Sequence, residues 1–184
     1  DNIGKTSYHE EVEWGIDALH VGEAAGLGGL TLYVENRPHL IQDPAGKLEK
    51  AWKAAPSAPE PILFEKQQIV SGPVRAAIEM TARNIVPDRK NLTARILCTI
   101  YAERQESEIR VTLSEPDNSF ILAPGLVKLT REKSFTDQVA GLAGSWGYQQ
   151  EVIGDIGMAI IASPAQIIDF TEEPMEHRVR CRPT

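Results

Sequence analysis

The feature that most constrains this chain is a succession of short β-rich runs joined by turn chemistry, with no helical crossover between them. Glu108 to Leu113 alternates strictly, setting Ile109, Val111 and Leu113 against Glu108, Arg110 and Thr112, which is the period of a strand with one dry face. Val74 to Val86 repeats the pattern: Val74, Ala76, Ile78 and Met80 share one parity, Arg75, Glu79 and Arg83 are polar, and Ala77 and Ala82 blur the contrast. Further runs lie at Leu30 to Val34, Ile62 to Phe64, Gln67 to Val70, Leu92 to Ala102, Phe120 to Leu122, Leu126 to Leu129, Ile156 to Ala162 and Val179 to Cys181. Turn signals separate them at Ser71-Gly72-Pro73, Pro87-Asp88 and Pro116-Asp117-Asn118-Ser119. Parallel neighbours need a long crossover, so these short polar connections favour antiparallel pairing. The expected fold is mainly β, an antiparallel β-sandwich with little helix, in a single domain over residues 1–184. The one helical pattern, Gly46 to Ala55, stops at Pro56, Pro59 and Pro61.

At 184 residues the chain is long enough to bury one ordinary core. Its 26 acidic and 19 basic residues give a net charge of −7, a field that repels phosphate backbones and anionic lipid, so neither nucleic acid nor membrane is an expected partner. A local group such as Arg83, Arg89, Lys90 and Arg95 still leaves room for an anionic sugar. The longest apolar run, Met158 to Ala162, falls far short of the roughly 20 residues of a spanning helix. Cys98 and Cys181 have no C-x-x-C or metal-like spacing, which leaves two readings: buried thiols on strands, or one long-range disulfide.

Several segments follow one another in a recognisable order: Tyr8-His9-Glu10-Glu11, Trp14-Gly15-Ile16-Asp17, His20-Val21-Gly22 and the Gly26 to Gly29 cluster. Ser71-Gly72-Pro73-Val74-Arg75, Ala123-Pro124-Gly125-Leu126-Val127-Lys128, Trp146-Gly147-Tyr148 and Gly154-Asp155-Ile156-Gly157 come later. In these pieces the chain resembles the bacterial family called domain of unknown function 4861 over nearly its whole length. The resemblance implies a sandwich like those of sugar mutarotases and polysaccharide lyases, a secreted or periplasmic setting, and a neighbourhood of unsaturated-uronyl hydrolases and other polysaccharide-breakdown enzymes. It therefore implies an oligosaccharide or polysaccharide partner, with lyase-type elimination at a uronic acid as one activity and a non-catalytic binding or assembly module as the alternative. Members of the family extend further at both ends, so a shortened form of a longer domain is expected.

The densest polar cluster is Tyr8, His9, Glu10, Glu11, Asp17 and His20. Elimination at a uronide needs one group to take the C5 proton and another to protonate the departing oxygen, a task suited to His9 or His20 as base and Tyr8 as acid. Loop histidines that only hydrogen-bond backbone are the competing reading. His9, Glu11, Asp17 and His20 also offer imidazole and carboxylate donors for a divalent metal, in no closed motif. Lys128 is the candidate counter-charge for a uronate carboxylate. Trp14, Trp146 and Tyr148, read as loop residues, are candidates to grip a sugar ring together with Asp17, whereas packed aromatics closing the sandwich are the bland alternative. Gly22 to Gly29 lacks the G-x-G-x-x-G spacing of a dinucleotide loop, and a strand follows it where a helix is required. The expected site is where the Tyr8 to His20 loop meets the open sheet face, near Lys128 and the Trp146 to Tyr148 segment.

Overall fold

The computed structural model describes residues 19, 21, 24–41, 62–115, 117–149 and 154–183. The expected helix at Gly46 to Ala55 and the Tyr8 to His20 cluster, His20 included, lie outside these residues. Among the described residues there is no helix. Twelve strands run in order as β1 (Leu27–Val34), β2 (Arg37–Ile41), β3 (Leu63–Ser71), β4 (Arg75–Arg83), β5 (Ala94–Tyr101), β6 (Ser107–Leu113), β7 (Ile121–Val127), β8 (Thr130–Asp137), β9 (Leu142–Tyr148), β10 (Asp155–Ile161), β11 (Ile167–Glu172) and β12 (Glu176–Cys181). They form sheets of order β11-β12-β7-β1-β2, β10-β9-β8 and β3-β4-β5-β6. The fold is the expected mainly-β, antiparallel sandwich class.

The described residues divide into two compact units, one drawn from 1–29 and 124–180, the other from 30–123 and 181–184. In the second unit, β1 and β2 are joined by a two-residue turn with Val34 opposite Arg37. Glu35 and Asn36 both have positive φ, 52° and 61°, the backbone of a type I′ hairpin whose twist matches that of its strands. β2 is an edge strand, which is where Pro38 is tolerated because its missing N–H breaks no ladder. β3 to β6 pair consecutively, with Ala82 opposite Ala94, and Ala94 opposite Leu113.

One buried cluster holds this unit together. Leu30, Leu32, Val34 and Ile41 from β1 and β2 meet Ala82, Ala94, Ile96 and Leu113, with Leu92, Phe120 and Leu122 filling between. Leu32, Leu92 and Phe120 are fully buried, and the Arg89 guanidinium lies 5.2 Å from the Phe120 ring centroid. The outer parity of the four-stranded sheet carries Arg83–Glu65 and Arg95–Glu79 ion pairs across its strands. Cys98 and Cys181 are free thiols on β5 and β12, half-buried where the first of the two readings has them buried, and burial pushes both thiols up from their ordinary range.

In the first unit, β9 is the centre of the β10-β9-β8 sheet, with β8 and β10 antiparallel to it. Ala24, Leu126, Val127, Leu129, Ala143, Met158, Ile167 and Val179 are the buried apolar side chains of this unit among the described residues.

Candidate functional site

A β-bulge builds the site. Along the β8–β9 ladder, Thr130 faces Tyr148 and Lys133 faces Trp146, so Arg131 and Glu132 together oppose the single residue Gly147. Arg131 takes the left-handed conformation, φ 53°, and its guanidinium lies 5.2 Å from the Tyr148 ring centroid. The bulge closes down onto Gly147: a Cβ there would stand 2.9 Å from Glu132 Cα and 3.0 Å from the Thr130 carbonyl oxygen. Only glycine leaves room for that approach.

The displaced strand turns Glu132 inward. Its Oε1 lies 2.8 Å from Nε2 of His177, while Oε2 accepts from the Ser145 hydroxyl at 2.9 Å and from the Leu129 backbone N–H at 3.1 Å. Glu132 and His177 are similarly shielded, with 18% and 17% of their side chains exposed. Burial pushes the Glu132 carboxyl up, but the bonds from His177, Leu129 and Ser145 and the attraction of His177 together outweigh it, leaving the group below its usual range. An ionised Glu132 therefore accepts a hydrogen bond from Nε2–H, and in that tautomer Nδ1 is the ring's basic nitrogen. Nδ1 has no hydrogen-bond partner among the described residues.

A second pair flanks the first. Lys128, just past the end of β7, places Nζ 2.6 Å from Glu172 Oε1, and its own N–H donates to the Met175 carbonyl at 3.0 Å. The hydrogen bond and charge of Lys128 hold the Glu172 carboxyl below its ordinary range, with a further pull from His177 and an opposing push from Glu132. Glu172 is thus within electrostatic reach of the inner pair. Lys128, Glu132, Ser145, Glu172 and His177 form one array of two carboxylates, an ammonium, an imidazole and a hydroxyl.

Alternation along β12 puts a different set on the opposite face. Glu176, Arg178 and Arg180 share one parity, and His177 and Val179 the other. The buried Glu176 carboxylate accepts from the Ala25 N–H and from Arg178 Nε, both at 2.6 Å, and Arg180 pairs with Asp169 at 3.0 Å. With the bond from the Val127 N–H to the Gly26 carbonyl, these contacts tie residues 25 and 26 to β7 and β12.

Of the residues singled out from sequence, Tyr8, His9, Glu11, Trp14, Asp17 and His20 lie outside the described residues, and with them the suggested metal donors. Among the described residues no three His, Cys, Asp or Glu side chains are grouped to hold a metal. Lys128 is in the array. Trp146 and Tyr148 lie on β9 and not in a loop, and the ladder sends Trp146 to the face opposite Ser145: Ser145 is buried and Trp146 is 54% exposed. Glu132, Glu172 and His177 are absent from the sequence-based candidates. For His177 a signal exists, because extending the Val179-Cys181 parity back two residues puts a histidine on the dry face of a strand.

A mainly-β, antiparallel sandwich with a shielded His–Glu pair is the class of protein defined so far. A family model described as a domain of unknown function (DUF4861) matches residues 2–180, and the chain belongs to that family. No curated protein and no solved structure matches the chain.

Proposed function

We propose that this protein is a carbohydrate-active protein acting on uronic-acid-containing oligosaccharides by elimination, with His177 as the base. The observation that carries the reading is the 2.8 Å contact of His177 Nε2 with Glu132, in an array whose Lys128–Glu172 pair lies within electrostatic reach of His177. Glu132 orients the ring and stabilises the imidazolium that forms when Nδ1 takes the C5 proton. The C5–H electron pair becomes the C4–C5 double bond, the C4–O bond breaks, and the departing oxygen takes a proton from an acid. Tyr8 is the acid candidate from sequence, and His177 takes the base role that the sequence suggested for His9 or His20. Lys128 exchanges Glu172 for the uronate carboxylate, and its charge stabilises the carbanion-like transition state by drawing electron density toward that carboxylate.

The test is the growth of ultraviolet absorbance from an unsaturated uronide with pectic, alginate and glucuronan oligomers, for the wild type and His177→Ala. A general base supplies ~10²–10⁴ of the rate. Loss of that order in a variant that melts like the wild type supports the assignment. Unchanged turnover in His177→Ala removes His177 as base, and binding without turnover in the wild type replaces elimination with a non-catalytic binding module.

A further inference from the structure

We infer that the outer face of the β10-β9-β8 sheet is a second glycan-binding surface, separate from the His177 array, on which an acidic sugar chain lies across Trp146 and Phe135. The inference rests on the carbohydrate reading above and adds a site to it.

Two aromatic side chains stand on this face, each seated over a glycine of the neighbouring strand. Phe135 on β8 faces Gly144 on β9, and a Cβ on Gly144 would fall 2.3 Å from the phenyl Cζ. Trp146 on β9 faces Gly157 on β10, where a Cβ would fall 2.5 Å from the indole Cε3. Each ring therefore lies down over bare backbone. The floor glycines remove the side chains that would prop the rings upright.

The rings remain open to solvent, 52% exposed at Phe135 and 54% at Trp146. In the ladder Phe135 is the diagonal neighbour of Trp146, a backbone spacing of ~7–8 Å, so the two rings stand on adjacent strands of one face and lean the same way, Phe135 over β9 and Trp146 over β10. Flat, paired, solvent-facing rings match the apolar faces of successive sugar residues, whose hydroxyls point outward around the ring edge.

Polar groups at the rim choose the kind of sugar. Lys133 sits directly opposite Trp146 on the same face, is exposed, and has no ion-pair partner among the described residues. The Lys133 ammonium beside the indole favours a carboxylate-bearing chain over a neutral one, a local charge acting against the net −7 of the chain. Asp155 is taken up by the indole, accepting from Trp146 Nε1 at 3.3 Å, which fixes the ring's in-plane orientation. A purely apolar protein partner would bury Lys133 without compensation, an arrangement that costs free energy.

The experiment is calorimetric titration of the intact chain with polygalacturonate oligomers, alginate oligomers and a neutral cello-oligosaccharide. Wild type, Trp146→Ala, Phe135→Ala, Gly157→Ala, Lys133→Ala and His177→Ala are compared, with melting temperatures as the folding control. Removing a central aromatic contact weakens binding by about fivefold or more. That loss is expected for Trp146→Ala and Phe135→Ala on acidic chains. Gly157→Ala, which pushes the indole off its seat while keeping it, is expected to weaken binding in the same direction. Lys133→Ala removes the preference for acidic over neutral chains, and His177→Ala leaves this binding in place.

Unchanged affinity in Trp146→Ala and Phe135→Ala, with loss in His177→Ala, overturns the surface and leaves the proposed function standing. No affinity of the wild type for any of the three chains overturns both. A wild-type dimer by sedimentation that Trp146→Ala converts to monomer assigns the face to self-association and overturns the inference.

Discussion

Replacing Glu132 tests the centre of the array, and two substitutions separate its structural from its chemical part. Three donors converge on this carboxylate: His177 Nε2 at 2.8 Å, Ser145 Oγ at 2.9 Å and the Leu129 N–H at 3.1 Å. A hydrogen bond to a charged group contributes about 1.5–3 kcal/mol, and a buried donor left unpaired costs about 1–3 kcal/mol. Water replaces part of this in Glu132→Ala because the site is not sealed, so we expect a loss of about 3–4 kcal/mol in urea unfolding. Glu132→Gln keeps the shape. Its amide oxygen can serve Ser145 and Leu129, but its NH2 must then donate to His177 Nε2, which moves the ring proton to Nδ1. The expected loss is about 1–2 kcal/mol, with a reversed His177 tautomer in the nitrogen shifts of the labelled ring. Turnover should fall with the tautomer, since Nδ1 would no longer accept a proton. A Glu132→Ala variant within about 0.5 kcal/mol of wild type would refute the reasoning, because such a value belongs to a surface substitution.

Acid should destabilise the protein partly through the same group. Glu132 is held below its ordinary range when folded, so its contribution is present above the usual glutamate value of about 4.3 and is lost as pH falls through its lowered value. Glu132→Gln should flatten stability against pH in that window, measured as melting temperature. Gly147→Ala should cost about 1–3 kcal/mol, since its Cβ meets backbone of the bulge that cannot swing away, and an unchanged melting temperature would count against the bulge. Glu35→Asn with Asn36→Gly should stabilise the β1–β2 hairpin by about 0.4–1 kcal/mol in urea unfolding, because both positions have positive φ and Asn-Gly suits a type I′ turn.

The strands legible in the sequence are those with alternating polarity. β6 and β4 are the clearest cases: Ile109, Val111 and Leu113 share the face that Ala76, Ile78 and Met80 continue. β8 and β9 were not legible, for physical reasons that differ. β8, Thr130–Asp137, is exposed along almost its whole length, so its residues carry no burial contrast to read. β9 contains Gly144, Ser145 and Gly147, which by propensity signal a loop. In the structure two of those residues are spaces: Gly144 seats Phe135 and Gly147 receives the bulge. Close packing across the sheet overrides the local preference, and a single chain gives no sign of what a missing side chain makes room for.

The candidate site was legible only at Lys128, and the bulge explains why. Glu132 sits in Arg131-Glu132-Lys133, which in a regular strand would read as a solvated charge run with Glu132 on one face and its neighbours on the other. Alternation from the outward Lys133 sends that carboxylate into the interior, where Ser145 and His177 meet it, and the extra residue against Gly147 breaks the parity that would otherwise put it on the same face as Thr130. The function of Glu132 thus depends on a register shift of one residue, a quantity that sequence periodicity does not carry because it belongs to the pairing of two strands. The same register separates Ser145 from Trp146. One step along β9 divides the two proposed sites, an inward hydroxyl that supports Glu132 and an outward indole that is open to solvent. The expectation of a single site uniting Lys128 with Trp146 and Tyr148 fails at that step for Trp146, because adjacent residues on a strand face opposite ways. Tyr148 shares the parity of Trp146, and its ring is occupied by Arg131 from the bulge itself. Tyr148→Ala is therefore expected to shift the His177 ring nitrogen signals through Arg131 and the backbone of Glu132, whereas Trp146→Ala should leave those signals where they are in the wild type.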